Sequence, residues 1–282
     1  HAFRAEVDSL AALSNSRAAS TGVVPRLFGA TSKSRQVMMS FFAGAILPDL
    51  DLAPAVRADA PAPFLAGALR AWLDVVAAVE EANELGLVHC DVNPWNVLIK
   101  GGVVAEDSAE ESAASPSTSS PLSLDGGESG PTACLVDWAC ASRPGDNVRG
   151  LPFKKRGDFQ AGELLVGKVG GCTDAFGCAA TLLWLLAKRT RKGLSEELST
   201  GPKALAAYFA DVAGARSAVA PEVLELLATA CCGGLNEDHA ARASLPLMRD
   251  AVQRALAAVA ATGDVRPTGA QGASGAGTAP NA

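Results

Sequence analysis

The spacing of apolar residues along the chain predicts several helices. Phe3, Val7, Leu10 and Leu13 recur every three or four positions, which predicts an amphipathic helix over residues 2–13. The same periodicity returns in five later stretches, and these are longer or more apolar. They predict helices over 64–83, 175–188, 203–213, 221–231 and 245–261.

Short apolar runs between polar turns predict two pairs of strands. Residues 23–30 and 36–42 flank a polar stretch and are typical of an antiparallel pair. Residues 97–99 and 134–136 form the second pair. Between them, 101–132 is rich in Ser, Gly, Pro and acidic residues and has no aromatic residue, which predicts a disordered insertion at a hairpin tip. The Gly- and Ala-rich residues 262–282 are expected to form a disordered tail. Strands and helices together predict an α+β fold.

Composition and charge exclude several functional classes. The chain has 282 residues, of which 49% are hydrophobic, so it can bury a sizeable core. The net charge is −6, and the stretch 101–132 contains six acidic and no basic residues. The rest is therefore near neutral and has no basic footprint for nucleic acid. No window approaches the roughly 18 apolar residues of a membrane span.

Seven cysteines are scattered along the chain without any C-x-x-C pair. An odd number of cysteines in apolar surroundings favours buried free thiols over disulfides or a zinc site. We therefore expect a reducing, cytoplasmic compartment.

Residues 87–99, Leu-Val-His-Cys-Asp-Val-Asn-Pro-Trp-Asn-Val-Leu-Ile, combine an apolar lead-in, a polar turn and a β-branched exit. Pro94 prevents the turn from becoming a regular helix. Asp91 and Asn96 lie five positions apart in it. Such a turn can place a carboxylate beside a substrate hydroxyl and an amide oxygen beside a metal ion, and phosphoryl transfer needs both.

This stretch resembles the catalytic loop of protein kinases, His-Arg-Asp-x-x-x-x-Asn. The resemblance implies that Asp91 orients or deprotonates the acceptor hydroxyl, that Asn96 holds Mg²⁺, and that His89 is a scaffold residue. Two residues depart from the pattern. Cys90 replaces the arginine that meets a phosphate on the activation segment, and Asn93 stands where many Ser/Thr kinases have a lysine at the transferred phosphate.

Later motifs extend the resemblance. Cys134 to Ala139 resembles the Asp-Phe-Gly segment, which implies a second magnesium ligand at Asp137 although Trp138 and Ala139 differ from the pattern. Residues 159–165 align with the segment that ends Ala-Pro-Glu. Residues 238–244 have the family's downstream spacing of Asp, then Arg four residues later, then Ser two residues later, so the resemblance implies a buried structural ion pair between Glu163 and Arg242.

The central helix of the large lobe in kinases has an aspartate near its start and a glycine five residues later. Here Asp174 is followed by Gly177 only three residues later. Either two residues are deleted or the aspartate is wrongly aligned.

The resemblance also assigns residues to the nucleotide side. Glu6 would be the helix glutamate that pairs with an upstream lysine, and residues 37–44 resemble the hinge that holds adenine. Met39 would then guard the pocket and Phe41 would lie in the hinge. Without the resemblance, these residues are a solvated glutamate and ordinary core side chains. The glycine-rich loop and the lysine would lie before His1.

Taken together, the resemblance implies a protein-kinase-like bilobal fold with a partial small β-containing lobe (1–47) and a mainly helical large lobe (48–261). The expected activity is ATP- and Mg²⁺-dependent phosphoryl transfer to a protein hydroxyl, Ser or Thr rather than Tyr. Three alternatives stay open. One is a small-molecule kinase of the aminoglycoside or choline type, because those enzymes also favour His-x-Asp-x-x-Pro-x-Asn and Asp-Trp. The others are a pseudokinase scaffold and an unrelated α-rich domain.

Overall fold

The computed structural model describes residues 2–42, 44–49, 62–100, 132–148, 157–214 and 219–263. Over these ranges the fold is α+β and mostly helical, with nine helices and two small antiparallel sheets. The helices are α1 (Ala2–Leu13), α2 (Arg17–Thr21), α3 (Ala62–Glu84), α4 (Gly162–Leu165), α5 (Thr173–Ala187), α6 (Ser195–Thr200), α7 (Pro202–Ala213), α8 (Pro221–Gly234) and α9 (Leu245–Gly263).

The six predicted helices are confirmed, with ends that differ by at most three residues. The short helices α2, α4 and α6 were not predicted. A helix of four to six residues makes too few turns to show a periodic apolar stripe, so its only sequence signals are its caps. Ser16 is such a cap, since its hydroxyl accepts a hydrogen bond from the Ala19 N–H.

The first sheet pairs β1 (Leu27–Thr31) with β2 (Gln36–Met39) in antiparallel register. The pairing is confirmed, but the prediction that the first strand begins at residue 23 is wrong. Gly22 ends α2 with a φ of +83°, and Pro25 has no N–H for a ladder. Val23 and Val24 are buried in the core instead.

The second sheet has three strands in the order β3 (Ala45–Ile46), β4 (Val97–Lys100) and β5 (Thr132–Leu135). The predicted hairpin is confirmed as β4–β5. Thr132 belongs to β5, so the predicted insertion is one residue too long, and its remainder, 101–131, lies outside the described residues. Helix α9 likewise includes the first two residues of the predicted tail, and residues 264–282 lie outside the description.

Helix α3 forms the centre of the core and packs against α5, α9 and β5. Trp72 on α3 is fully buried, and its indole N–H donates to the Cys178 carbonyl of α5 at 2.8 Å. Gly86 follows the helix with a φ of +72°, a backbone angle that favours glycine. The chain therefore leaves the core helix at a defined angle and enters the 87–99 stretch.

All seven cysteines lie in the described ranges and are thiols that form no disulfide there, as the sequence predicts. Within the described part of the chain, no helix combines the length and apolar character needed to cross a bilayer.

Candidate functional site

The backbone of the 87–99 loop is held by Asp174, in the first turn of α5. One carboxylate oxygen accepts the His89 N–H at 2.7 Å, and the other accepts the Cys90 N–H at 2.8 Å. Asp174 is fully buried, and this burial raises its pKa to about 6, even though the two N–H donors act in the opposite direction. Cys90 has a φ of +66°, which is strained for cysteine. The two hydrogen bonds compensate for that strain.

Gly177 lies one helical turn beyond Asp174 and lets α5 approach the loop closely. A Cβ atom at this position would lie 2.6 Å from the Val92 carbonyl oxygen. Residues three apart share a helix face, so Asp174 and Gly177 both contact the loop. Asp174 is therefore the carboxylate that supports the loop, and the three-residue spacing places Gly177 against the same loop.

Two asparagines determine the geometry of the polar turn. The Asn96 amide nitrogen donates to both the Asp91 carbonyl, at 2.8 Å, and the Asp91 carboxylate, at 3.1 Å. The Asn93 amide nitrogen donates to the same Asp91 carbonyl at 2.8 Å, while its oxygen accepts the Trp95 N–H. Asn93 is completely buried. It therefore braces the turn, whereas Asn96 orients the Asp91 carboxylate.

The β4–β5 hairpin brings Asp137 beside this turn. The Val136 N–H donates to the Asn96 carbonyl at 2.9 Å, so Asn96 and Asp137 are held on neighbouring segments. Asp137 is half-buried and has a φ of +63°. Of the four non-glycine residues with positive φ in the described ranges, two, Cys90 and Asp137, lie in this site. Strained backbone of this kind concentrates at functional sites.

Asn96 and Asp137 have the oxygen donors that Mg²⁺ prefers. The Asn96 amide nitrogen is directed to Asp91, so the amide oxygen is the end that remains for a metal. Mg²⁺ is commonly held by one or two protein groups together with substrate phosphates. The two residues fit that pattern. Within the described residues, no group of three or more His, Cys, Asp or Glu side chains could hold a metal by itself.

The contacts of His89 fix its tautomer. Its Nε2 lies 3.1 Å from the Val136 carbonyl, which can only accept, and its Nδ1 lies 3.2 Å from the Asp91 N–H, which can only donate. The ring is therefore neutral with its proton on Nε2. Its burial, edge-on against Trp138, lowers the pKa to about 4. These are contacts of a structural residue rather than of an acid or base.

We expect the His89 imidazole to stay neutral from neutral pH down to about pH 4, because burial opposes its protonation. The unfolded chain takes up this proton near pH 6.5, so the contribution of His89 to stability is present above that pH and is lost as the pH falls towards 4. Side-chain ¹⁵N shifts measured against pH test this, with the variant H89Q identifying the resonance. A His89 signal that titrates between pH 6 and 7 would contradict the assignment.

The structure brings Glu6 to the site. Helix α1 packs against the turn Trp138–Cys140. Burial raises the pKa of Glu6, and the nearby negative charge of Asp137 raises it further. Met39 is half-buried against the core, but Phe41 is 91% exposed. The two residues predicted at the nucleotide hinge are thus in different environments, and Phe41 does not pack into the core.

The predicted Glu163–Arg242 ion pair is confirmed. Arg242 Nη1 and Nη2 lie 2.6 and 3.1 Å from the two carboxylate oxygens of Glu163. The arginine side chain is completely buried and also donates to the carbonyls of Cys172 and Asn236. Burial by itself raises the pKa of Glu163. The hydrogen bonds and charge of Arg242, together with hydrogen bonds from the Glu163 backbone N–H and from Thr173, outweigh burial, so the pKa is lowered.

Sequence reasoning missed the aromatic residues around the turn. The ring of Trp95, one residue before Asn96, lies 5.6 Å from Phe159 and 6.3 Å from Trp184. The only sequence signal was an aromatic residue inside an otherwise polar turn. A separate surface cleft of about 1040 Å³ between α2, α3 and α9 contains none of the predicted site residues.

Comparison with known proteins identifies no family. No protein-family model matches the chain, and no curated protein gives a significant match.

Proposed function

We propose that this chain is a divergent protein-kinase-like phosphotransferase that transfers a phosphoryl group from ATP to a Ser or Thr hydroxyl of a protein. In this proposal the fold is bilobal, with residues 1–47 in the small lobe and the mainly helical remainder in the large lobe. The observation that carries it is the braced cluster of Asp91, Asn96 and Asp137 on two hydrogen-bonded segments. Phosphoryl transfer depends mainly on such positioning.

Asp91 is the group that orients the acceptor hydroxyl and accepts its proton. The Asp91 backbone is fixed at two points, since its N–H donates to His89 and its carbonyl accepts from Asn93 and Asn96. The Asn96 amide holds one carboxylate oxygen. The carboxylate therefore has a defined direction before any substrate binds, which lowers the entropic cost of reaction.

Asn96 and Asp137 would hold Mg²⁺, which neutralises charge on the transferring phosphates when bound. Glu6, beside Asp137, is proposed to pair with a cationic group near the phosphates, because its burial next to another carboxylate is otherwise unfavourable. Met39 and Phe41 are proposed to contribute to adenine binding. Of the two, the half-buried Met39 has the better surroundings for an apolar contact.

Particular contacts bear on two alternatives to a protein kinase, a small-molecule kinase and a catalytically impaired scaffold. The Glu163–Arg242 pair favours a protein kinase over a small-molecule kinase of the aminoglycoside or choline type, whose members lack that pair. The burial of Asn93 favours a catalytically impaired scaffold, because a braced amide supplies no positive charge to the transferred phosphate. Seven cysteines that form no disulfide within the described residues support a cytoplasmic location.

The variant Asp91→Asn tests the activity. General-base assistance contributes roughly 10²–10⁴-fold to rate, so we expect D91N to lower phosphoryl transfer by that factor. Transfer from γ-labelled ATP to a panel of Ser and Thr peptides is measured with the 282-residue chain.

The matched control is Asp250→Asn, an exposed aspartate on α9, which should leave the rate unchanged. Transfer by D91N at the wild-type rate would refute the catalytic role. No transfer by a folded wild type that binds ATP with Mg²⁺ would favour the scaffold.

A further inference from the structure

An aromatic cluster, in which Phe159 is buried and two tryptophans are half-buried, includes one residue of the turn that carries the proposed general base. Trp95 sits between Asp91 and Asn96 and is half-buried, and its backbone N–H is fixed by Asn93 at 3.0 Å. Its ring meets Phe159 edge-on, with an interplanar angle of 84°. Trp184 of α5, also half-buried, packs against Trp95 at an angle of 46°. We call Trp95, Phe159 and Trp184 the aromatic ledge.

Positive charge borders this ledge. Lys188 ends α5 with a φ of +51°, and its ammonium lies 3.4 Å from the centroid of the Trp184 ring. Arg189 and Lys192 follow and are exposed. Arg191 differs from them because it is bonded to Glu237. The chain that follows Trp184 at the end of α5 therefore carries three positive charges within five residues, and one of them covers the Trp184 ring.

We propose that the aromatic ledge and its cationic border select the acceptor: a polypeptide segment with an aromatic or large apolar side chain next to its hydroxyl residue and acidic residues beyond it. This inference rests on the proposed function. An apolar side chain placed on Trp95 would hold its neighbouring hydroxyl near Asp91, because Trp95 and Asp91 belong to the same braced turn. Acidic residues would then face Arg189 and Lys192.

The same charges disfavour a cationic small molecule. An amino alcohol or aminoglycoside would bind an aromatic face through its ammonium group. Here the ammonium of Lys188 already occupies that position on Trp184, and Arg189 and Lys192 repel a second cation. Aromatic stacking together with positive charge is suited to an acidic, partly aromatic polypeptide.

Binding is measured separately from catalysis. Fluorescence anisotropy follows four labelled Ser peptides on the D91N chain, which keeps the ledge but is not expected to turn over. The peptides combine either Phe or Ser beside the acceptor with either Glu or Lys beyond it. We expect the Phe–Glu peptide to bind about tenfold more tightly than the Phe–Lys and Ser–Glu peptides.

Two variants assign the preference to the ledge and its border. Trp95→Ala should lower affinity for the Phe–Glu peptide about tenfold and abolish the advantage of Phe over Ser. The exposed pair R189E/K192E should reverse the preference from Glu to Lys without affecting the core. The controls are Phe28→Ala on β1 and Lys203→Glu on α7, both at exposed positions, and neither should change binding.

Equal affinity for all four peptides, or a W95A variant that binds like its parent, would overturn the inference. Its failure is distinguishable from failure of the proposed function. If the wild type binds the Phe–Glu peptide selectively but transfers no phosphoryl group, the docking proposal stands and the proposed activity is refuted. If it transfers phosphoryl groups without preference for Phe and Glu, the activity stands and the docking proposal is refuted.

Discussion

Replacement of Arg242 by alanine is expected to lower the free energy of unfolding by about 3–5 kcal/mol, because it leaves the Glu163 carboxylate without its buried partner. The Cys172 and Asn236 carbonyls also lose their guanidinium donor. A domain of ordinary stability unfolds at a cost of about 5–15 kcal/mol, so R242A should lose a large share of that stability. Urea denaturation at neutral pH measures the change.

Two further variants sharpen the Arg242 experiment. Arg242→Lys keeps the charge but loses the two-point contact and should give an intermediate loss. Arg254→Ala removes an exposed arginine paired with Asp250 and should cost no more than about 0.5 kcal/mol. Equal losses of unfolding free energy in R242A and R254A would show that the buried pair contributes no more to stability than the exposed pair.

The Glu163 pair also predicts a pH dependence. Because the folded-state pKa of Glu163 is lowered, the stabilisation from the pair is present above pH 4.5 and is lost as the pH falls through the folded-state pKa. The difference between wild type and R242A should therefore shrink under acid conditions.

Replacement of Asp174 by alanine is expected to lower the free energy of unfolding by about 2–6 kcal/mol, since two buried N–H groups lose their acceptor at about 1–3 kcal/mol each. The strained backbone at Cys90 loses its restraint at the same time. Phosphoryl transfer should fall with it, because Asp91 follows Cys90 directly. Denaturation curves and transfer rates are measured on the same preparations.

Asp174→Asn separates the position of the loop from global stability. Asparagine keeps one acceptor oxygen, so about half of the stability loss is expected and the chain should stay folded. The pKa of Asp174 is raised from 3.8 to about 6, so between these values the folded chain retains a proton that the unfolded chain releases. The advantage of wild type over D174N should therefore shrink as the pH rises through this window and stay constant above it. An advantage that grows over the same window would contradict the burial of this carboxylate.

Periodicity predicted the long helices because each has an apolar stripe several turns long, as in α3 and α9. The Glu163–Arg242 pair followed from the resemblance, although the two residues lie 79 positions apart. The start of β1 was wrong because apolar runs show burial but not ladder formation. Val23 and Val24 are buried without belonging to a strand.

The sequence by itself determined which polar groups are available in the turn. Asp91, Asn93 and Asn96 had to lie near one another because Pro94 allows no regular helix there. Only the tertiary structure decided their roles. Asn93 is buried as a brace, and Asn96 points its amide nitrogen at Asp91. Helix α5 holds the start of the loop, at His89 and Cys90, through Asp174. Local spacing limits which atoms can meet. The direction of a buried polar side chain, however, depends on partners that are distant in the chain, and these partners take their positions only when the core is packed.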